Sequence, residues 1–428
     1  MRPAGLLLAV LLWACGCAGG RPPGVPLQSI VDGGPGVGPG LSGIAVVVVD
    51  GRGERHAEAA GRAVIDADAP ARERSMDVDA PARVASVSKL LVALGVMRLV
   101  EAGILDLDRD VSDDLGWPLR NPSFPDRPIT PRLLLSHRST LLDDGGYFFP
   151  LGATLRGSLV DESWHREHPP GGFFNYTNLN FGVIATVMEK ATGERFDRLM
   201  MRLVMAPLKL DACFNWSGCS DAAVARAAAL YRKSGDGEAW VPSERWAAQI
   251  DDLRGQRPDC PVRLASPDAP CDIDRYAPGD NGTLFSPQGG LCISARGLGR
   301  VARLLLNEGE LDGVRLLRKE TVRAMLTPLW REGEAPAGET YGGLMRCYGL
   351  SLQCLIGQGD QPLERPVGWF GHMGEAYGLW SGLWIDPAAG RGYVYLVTGT
   401  ADDPARYPGR HSKFRAFEEA ILADLAAR

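Results

Sequence analysis

The feature that most constrains the fold of this chain is the position of its strand-forming segments, which lie at its two ends. Residues 42–50 read Ser-Gly-Ile-Ala-Val-Val-Val-Val-Asp, a continuous β-branched run that is typical of a strand buried on both faces. Gly51-Arg-Gly53 predicts a hairpin turn, and residues 55–64 predict a second, less regular strand. From residue 340 onward, short apolar segments again alternate with Gly and Pro. Both ends of the chain therefore supply strands.

Between these ends, residues 105–285 show no convincing series of strands, and several of their segments have patterns typical of helices. Strands at both termini with helices between them predict an α+β fold. We expect one antiparallel sheet built from both termini and flanked by helices, with a mostly helical middle subdomain over about 105–285. A substrate cleft would form between these layers. The later strands are predicted at 341–355, 368–372, 379–385 and 392–398, and the helices at 133–137, 180–191, 195–204, 296–307, 319–326 and 412–428.

The first 17 residues predict an export signal. A short basic segment is followed by an apolar stretch that ends at Leu-Trp-Ala-Cys15, which is too short for a permanent membrane span. This ending is typical of bacterial lipoproteins and makes Cys15 the candidate lipidation residue, with Cys17 or plain cleavage as alternatives. Residues 18–40 are rich in Gly and Pro and predict a flexible tether before a domain over 41–428. We therefore expect an exported, periplasmic protein that is held at a membrane by a lipid anchor.

The remaining cysteines fit an oxidising compartment. Six of the seven that follow the signal form three pairs close in sequence, and these are candidates for short-loop disulfides, although the sequence leaves the pairing open. Cys292 lies in an apolar stretch and is expected to be buried. His165 and His168 have helical spacing but no evident third ligand, so we predict no metal site. The three pairs are Cys213/Cys219, Cys260/Cys271 and Cys347/Cys354.

The charge of the chain limits its partners. With 46 basic and 52 acidic residues the net charge is -6, which argues against nucleic acid as the main partner. No protein partner is evident from the sequence. We expect a small-molecule or peptide substrate, and contact with a membrane only through the lipid anchor.

Residues 83–103 contain the most informative chemical motif. Ser86 and Lys89 precede the apolar run 90–97, which predicts a helix buried on every side that ends near Gly103. A spacing of three residues places the hydroxyl and the amine on one helical face. A lysine that is desolvated at a helix N-terminus can lose its proton near neutral pH and take one from the serine. The alternative is an ordinary helix start with a lysine whose amine reaches solvent.

A second candidate motif is Tyr176-Thr-Asn178, on a polar turn before the helix that begins near residue 180. A tyrosine there can share a proton with a nearby amine, and an asparagine can bond both a lysine and a substrate amide. The alternative is a helix-capping turn anchored by an aromatic ring. His137 follows an apolar run and is expected to be structural rather than catalytic.

The third candidate motif is His372-Met-Gly374-Glu375, which follows a short apolar strand. The glycine allows close approach of a substrate backbone. The backbone N–H after Gly374 could pair with that of Ser86 as an oxyanion hole. The alternative is a glycine-rich hairpin that contains a histidine by chance.

Together, in this order and spacing, the three motifs resemble those of the serine β-lactamase/penicillin-recognising superfamily, whose first signature is Ser-x-x-Lys. The nearest branch is its class C-like group, which also includes D,D-carboxypeptidases, D-aminopeptidases and carboxylesterases. The resemblance covers roughly residues 40–428 and implies a β-lactamase/transpeptidase-like fold. It also implies that Ser86 is the acylated nucleophile and that Lys89 and Tyr176 share the base and acid work. Asn178 would position Lys89 and the substrate amide, and neither a cofactor nor a metal would be needed.

The same resemblance places His372 and Gly374 on the cleft wall and assigns the oxyanion hole to the N–H groups of Ser86 and Glu375. In members that bind β-lactams, the third motif offers a cation and a hydroxyl to a substrate carboxylate. Here His372 replaces the permanent cation, Met373 replaces the hydroxyl, and Glu375 adds a negative charge. An ester, or a peptide with a free amine, therefore fits better than penicillin. The alternatives are a true β-lactamase or D,D-carboxypeptidase, and a non-catalytic binding or sensor protein on the same fold.

Overall fold

The computed structural model describes residues 26–235, 239–357 and 359–428. The predicted export signal, Cys15 and the start of the predicted tether lie outside the described residues. Seventeen strands and eleven α-helices are numbered here along the chain. The strands are β1 Gly43–Asp50, β2 Glu54–Val64, β3 Arg74–Ser75, β4 Ala82–Arg83, β5 Cys213–Phe214, β6 Leu230–Ser234, β7 Pro242–Ile250, β8 Leu291–Ile293, β9 Glu310–Leu311, β10 Val314–Arg315, β11 Trp330–Arg331, β12 Cys347–Tyr348, β13 Gln353–Leu355, β14 Trp369–Ala376, β15 Leu379–Asp386, β16 Arg391–Val397 and β17 Gly399–Thr400.

The described helices differ widely in length, and the two longest, Ser88–Glu101 and Leu179–Thr192, have 14 residues each. A 3₁₀ turn at Ala85–Val87 leads directly into the first of these two helices. The helices are α1 Leu27–Asp32, α2 Ser88–Glu101, α3 Val111–Leu115, α4 Pro131–Leu135, α5 Leu155–Ser158, α6 Leu179–Thr192, α7 Phe196–Met200, α8 Asp221–Arg226, α9 Ala295–Leu306, α10 Lys319–Leu326 and α11 Ala416–Ala427.

The main sheet has nine strands in the order β11-β12-β13-β14-β15-β16-β1-β2-β3. Strand β1 pairs antiparallel with β16, with Val47 opposite Val394, so the first strand of the chain completes a sheet supplied mainly by its C-terminal third. Strands β1 and β2 form a hairpin, and the turn predicted at 51–53 joins them. The α+β fold with a sheet built from both termini is confirmed.

Helices cover both faces of this sheet, which explains the continuous apolar run of β1. Val47 and Val49 face α9, where Gly299 allows close contact: a Cβ at that position would lie 3.0 Å from Val47 Cγ1. On the opposite face, Val46 and Val48 pack with α1 and α11. A strand that is buried on two sides needs apolar residues at every position rather than alternation.

Helix α2 lies in the core, and each residue from Ser88 to Met97 is buried. Gly95 faces Met200 so closely that an added Cβ would lie 2.6 Å from its Sδ, so this glycine is needed for helix packing. The helix ends at Glu101, and Gly103 adopts a left-handed φ of 70° just beyond it. The predicted buried helix and its glycine stop are both present.

The middle of the chain differs from the sequence prediction. The hairpin of β6 and β7 lies within 105–285, where we expected no convincing series of strands, and β17 pairs in parallel with β6. Strand β7 is mostly exposed, so it has no apolar alternation for sequence analysis to detect. Outside α6, the α-helices described in this segment have four to six residues each, and a π-helical stretch at Met201–Met205 extends α7. The segment is therefore less helical than the sequence predicted.

The three predicted cysteine pairs form disulfides, and Cys292 is a buried free thiol. Burial raises the pKa of the Cys292 thiol to about 12, so it stays protonated at physiological pH. No helix in the described part of the chain combines the length and apolarity that crossing a bilayer requires.

Candidate active site

Ser86 lies on the 3₁₀ turn that precedes α2, and the surrounding structure holds that turn in a strained conformation. Ala85 has a φ of 45°, which is unfavourable for a residue with a Cβ. The Ser88 hydroxyl donates to the Ala85 carbonyl at 2.6 Å and accepts from Leu291 N at 3.0 Å. The Ser381 hydroxyl donates to the Val84 carbonyl at 2.9 Å. The turn is thus fixed from two sides, which presents Ser86 at the edge of the core.

Lys89 is fully buried on the first turn of α2, and its amine has three oxygen neighbours. Its Nζ lies 2.8 Å from Ser86 Oγ, 2.8 Å from Asn178 Oδ1 and 3.0 Å from the Gln288 carbonyl oxygen. Burial lowers the pKa of Lys89 to about 7, although the nearby Asp143 carboxylate raises it. A large fraction of the amine is therefore neutral at physiological pH.

The geometry around Lys89 suits a base. A neutral amine has two N–H groups and one lone pair. The Asn178 and Gln288 oxygens can only accept, so they take the two N–H groups. The lone pair then faces the Ser86 hydroxyl, which is the arrangement needed to remove its proton.

Tyr176 covers the amine from the other side. Its ring centroid lies 4.8 Å from Lys89 Nζ, and its hydroxyl is buried without a hydrogen-bond partner of ordinary geometry within the described chain. Burial raises the pKa of Tyr176 well above its usual range, although the neighbouring Ser86 hydroxyl lowers it. The phenol is protonated at neutral pH. It can donate a proton, whereas a neutral Lys89 amine can accept one.

Asn178 begins α6, and the carboxylate of Asp143 holds it there. Asp143 accepts hydrogen bonds from Asn178 N, Asn178 Nδ2 and Leu179 N, each at 2.9 Å. One amide hydrogen of Asn178 is thus bound to Asp143, which leaves the other for a substrate. Burial raises the pKa of Asp143, and these three donors lower it. Sequence analysis missed Asp143, because no motif contains it and nothing in the sequence distinguishes it from the adjacent Asp144.

The third motif lies on β14, with its residues divided between the two faces of the sheet. Gly374 faces the turn that carries Ser86 so closely that a Cβ at position 374 would lie 2.5 Å from the Val84 carbonyl oxygen and 3.1 Å from Ser86 N. Met373 packs on the opposite face in the core formed with α11. His372 is completely buried, with its ring centroid 6.1 Å from that of Tyr176. It lies behind Tyr176 rather than on the open cleft wall where we expected it.

Glu375 is the member of this motif that is open to solvent. Its carboxylate accepts a hydrogen bond from the Tyr341 hydroxyl. The cleft walls partly desolvate the carboxylate and raise the pKa of Glu375 to about 7, whereas Arg415 and Arg232 lower it. The negative charge that the sequence indicated is therefore only partial near neutral pH.

A cavity of about 840 Å³ opens beside these groups. Its lining includes Asp143, Tyr176 and Asn178, together with Tyr341 and Glu375. The segment 408–415 adds Arg410, Lys413 and Arg415 to the lining. A volume in this range holds a ligand of several hundred daltons.

His165 and His168 lie apart from these residues, on a loop. The structure adds Glu167 to them, which the sequence analysis did not consider: one ligand atom from each residue lies within 4.8 Å of the others. The His165 ring stacks on His168 and on Phe173. None of the three acts on Ser86 or lines the 840 Å³ cavity.

Comparison with known proteins identifies the family of the chain. A sequence model of the family described as Beta-lactamase matches residues 29–415. This chain belongs to the Beta-lactamase family. Among its curated relatives, Esterase EstB of Burkholderia gladioli is 34% identical over 188 residues, covering 40% of this chain and 46% of that protein. Penicillin-binding protein 4* of Bacillus subtilis is 30% identical over 131 residues, covering 29% and 28%. The matches thus span less than half the length of either relative.

Several solved structures share the fold of this chain. The D-amino acid amidase of Ochrobactrum anthropi SV3 aligns with a TM-score of 0.60 at 20% identity, covering 91% of this chain and 94% of that one. The hydrolase EstCE1 aligns with a TM-score of 0.59 at 20% identity, covering 90% and 93%. These likenesses confirm the β-lactamase/transpeptidase-like fold that the motifs implied.

Proposed function

We propose that this protein is a serine hydrolase that forms an acyl-enzyme on Ser86, with an ester or an amide as substrate. The contact of 2.8 Å between Lys89 Nζ and Ser86 Oγ carries the proposal, since the amine is buried and partly neutral. The fold and the family support it. The relatives named above include an esterase and an amidase, which is the range of chemistry that such a site can perform.

The reaction follows from the contacts. As the Ser86 oxygen forms a bond to the substrate carbonyl carbon, its proton passes to Lys89 Nζ. The carbonyl oxygen becomes an oxyanion, for which the backbone N–H groups of Ser86 and Glu375 are the proposed donors. When the intermediate collapses, the bond to the leaving group breaks. Tyr176 then donates its proton to the leaving group and is reprotonated from Lys89. Water then attacks the carbonyl carbon of the acyl-enzyme and gives a proton to the neutral Lys89 amine. The bond from that carbon to Ser86 Oγ breaks, Lys89 returns the proton to Ser86, and the acid is released.

The third motif bears on the substrate class. His372 is buried, and burial together with the charge of Lys89 lowers its pKa to about 3, so it supplies no cation near neutral pH. Met373 points into the opposite core and supplies no hydroxyl. A substrate carboxylate therefore has no partner at this motif. The partial charge of Glu375 instead favours an amine there. We propose a neutral ester, or a peptide or amide with a free amine, over penicillin.

We also propose that the protein is exported and anchored by lipid at Cys15. The three disulfides support export, because such bonds persist in oxidising compartments. Release of the protein from membranes by a Cys15→Ala variant would support the anchor. An unchanged membrane fraction would oppose it.

The function can be tested with a fluorophosphonate probe and mass spectrometry of the intact protein. We expect one adduct per chain, lost in Ser86→Ala. It should be retained in Ser412→Ala, since Ser412 lines the same cavity but donates to Glu419. Incubation with esters, D-amino acid amides and β-lactams should then give acyl-enzyme with the first two classes. Rapid turnover of nitrocefin or benzylpenicillin would contradict the substrate proposal. A folded protein that no probe labels would favour a binding protein.

A further inference from the structure

Two buried side chains outside the three motifs, His137 and Tyr348, connect the second motif to the third. The chain of contacts begins at Thr177, between Tyr176 and Asn178, and ends at Met373, between His372 and Gly374. Its four distances are 3.0 Å from Thr177 N to His137 Nδ1, 3.2 Å from His137 Nε2 to Tyr348 Oη, 2.9 Å from Tyr348 Oη to His372 Nε2, and 2.5 Å from His372 Nδ1 to the Met373 carbonyl oxygen.

The backbone groups at the two ends determine where each hydrogen lies. Thr177 N–H can only donate, so His137 Nδ1 accepts and is unprotonated. Asn180 Nδ2 also donates to His137 Nδ1, at 3.2 Å, and its orientation is set by Ser139, which donates to Asn180 Oδ1 at 2.5 Å. A neutral His137 therefore carries its hydrogen on Nε2 and donates it to Tyr348.

The other end gives the same direction. A carbonyl only accepts, so His372 Nδ1 carries a hydrogen and donates it to Met373. Tyr348 receives a hydrogen bond from His137, so its own hydrogen is free to point at His372 Nε2. All four bonds thus run one way, from Thr177 to Met373. A proton added to His372 Nε2 would face the Tyr348 hydroxyl hydrogen, and the hydrogen bond between these two side chains would be lost.

The chain lies directly behind the reacting groups. The His137 ring centroid is 4.5 Å from that of Tyr176, and both His137 and Tyr348 are buried. The ionisable groups that face the two imidazoles are Lys89, Tyr176 and Tyr348. Burial and the charge of Lys89 lower the pKa of His137, and burial raises that of Tyr348. Lys89 is thus the group among them that titrates near neutral pH.

We infer that His137 and Tyr348 are positioning residues, which join the second motif to the third through a hydrogen-bond chain of fixed direction and keep His372 an uncharged Nδ1–H tautomer. This inference rests on the proposed function for its catalytic consequence. The chain holds Tyr176 and the Gly374 strand at a set separation across the cleft. It also keeps a second positive charge away from Lys89. The protonation state of Lys89 alone then determines whether the site is in its active form.

Nitrogen-15 NMR of histidine-labelled protein tests the wiring without any substrate. Replacing the four other histidines with Gln, at 56, 165, 168 and 411, leaves two rings to assign. Two-bond proton–nitrogen correlations should show His372 as the Nδ1–H tautomer and His137 as the Nε2–H tautomer, with neither ring titrating between pH 5 and 8. Identical tautomers, reversed tautomers or a titration in this range would overturn the inference. This measurement decides the wiring even if Ser86 proves not to be acylated.

The consequence for catalysis is tested with Tyr348→Phe, which keeps the ring and removes the hydroxyl. Tyr231→Phe is the matched control, because it removes another buried hydroxyl, bonded to Ile65. For a neutral aryl ester we expect kcat to fall about tenfold in Tyr348→Phe, with KM changed less than about twofold. Both imidazole signals should shift. An unchanged kcat, or an equal loss in Tyr231→Phe, would show that the chain does not position the site.

Discussion

The buried amine of Lys89 predicts a specific pH dependence for acylation of Ser86. Lys89 must be neutral to accept the serine proton, and burial lowers its pKa to about 7. The acylation rate should therefore rise with pH and level off above this value. Besides the change of pH, the substitution Asp143→Asn tests the same reasoning, because the Asp143 carboxylate raises the pKa of Lys89.

The magnitude follows from the fraction of neutral amine. With a pKa of about 7, this fraction is roughly 10% at pH 6, half at pH 7 and roughly 90% at pH 8. The rate should thus increase about tenfold between pH 6 and pH 8. A solvated lysine, with a pKa near 10.4, would be only roughly 0.4% neutral at pH 8, and the rate would still be rising tenfold per unit. The two cases differ clearly within the range where proteins stay folded.

The assay is the rate of labelling by a fluorophosphonate, which needs only the acylation step. Rates would be measured from pH 5 to 9 at constant ionic strength, with Ser86→Ala as the background. In Asp143→Asn the midpoint should move to lower pH by about one unit, since loss of a nearby negative charge favours the neutral amine. Asparagine is chosen because its carbonyl can still cap α6.

Three results would refute this reasoning. A rate independent of pH would show that Lys89 is not the base. A rate that still climbs at pH 9 would show that burial does not lower its pKa. A midpoint that Asp143→Asn leaves unchanged, in a variant that still binds the probe, would show that the two groups are not electrostatically coupled.

Three further predictions follow from the same contacts. Lys89→Met should raise the free energy of unfolding, measured by urea denaturation, by a few kcal/mol at pH 6 and by less at pH 10. A charged, buried Lys89 destabilises the fold fully below its folded pKa of about 7, and this destabilisation declines as the pH approaches 10.5, the pKa of a solvated lysine. Lower stability of the variant at both pH values would contradict this. Glu375→Gln should raise KM up to about fivefold for a substrate with a free amine and leave a neutral ester unchanged, since the residue is exposed; equal effects on both would exclude charge recognition. Reduction of the disulfides should lower the melting temperature, each short loop contributing about 2–3 kcal/mol, and Cys292 should resist thiol reagents until the protein unfolds.

Much of this protein follows from local sequence pattern. Three sequence features predicted an α+β fold with one sheet made from both ends of the chain. They are the apolar run of β1, the apolar residues on every face of α2, and the strands near the C-terminus. Such elements are predictable because burial on both faces demands apolar residues at every position. The hairpin of β6 and β7 was missed, since β7 is mostly exposed and carries no such demand.

The motifs likewise named Ser86, Lys89, Tyr176 and Asn178 as candidates, and the structure brings these four together. Their chemistry depends on spacing along one helix and on a helix N-terminus, both of which are local. The third motif was placed less well: sequence put His372 on the cleft wall, whereas the strand buries it behind Tyr176.

Only the tertiary structure revealed the groups that act through space. Asp143 reaches Asn178 across 35 residues, and Tyr348 reaches His137 across 211. No sequence spacing encodes these pairs, because their positions are set by how α6 and the sheet pack. Burial itself, which lowers the pKa of both Lys89 and His372, is a property of the assembled core. The sequence thus determined which reactive side chains are present, and the packing decided how they are protonated and which way each one faces.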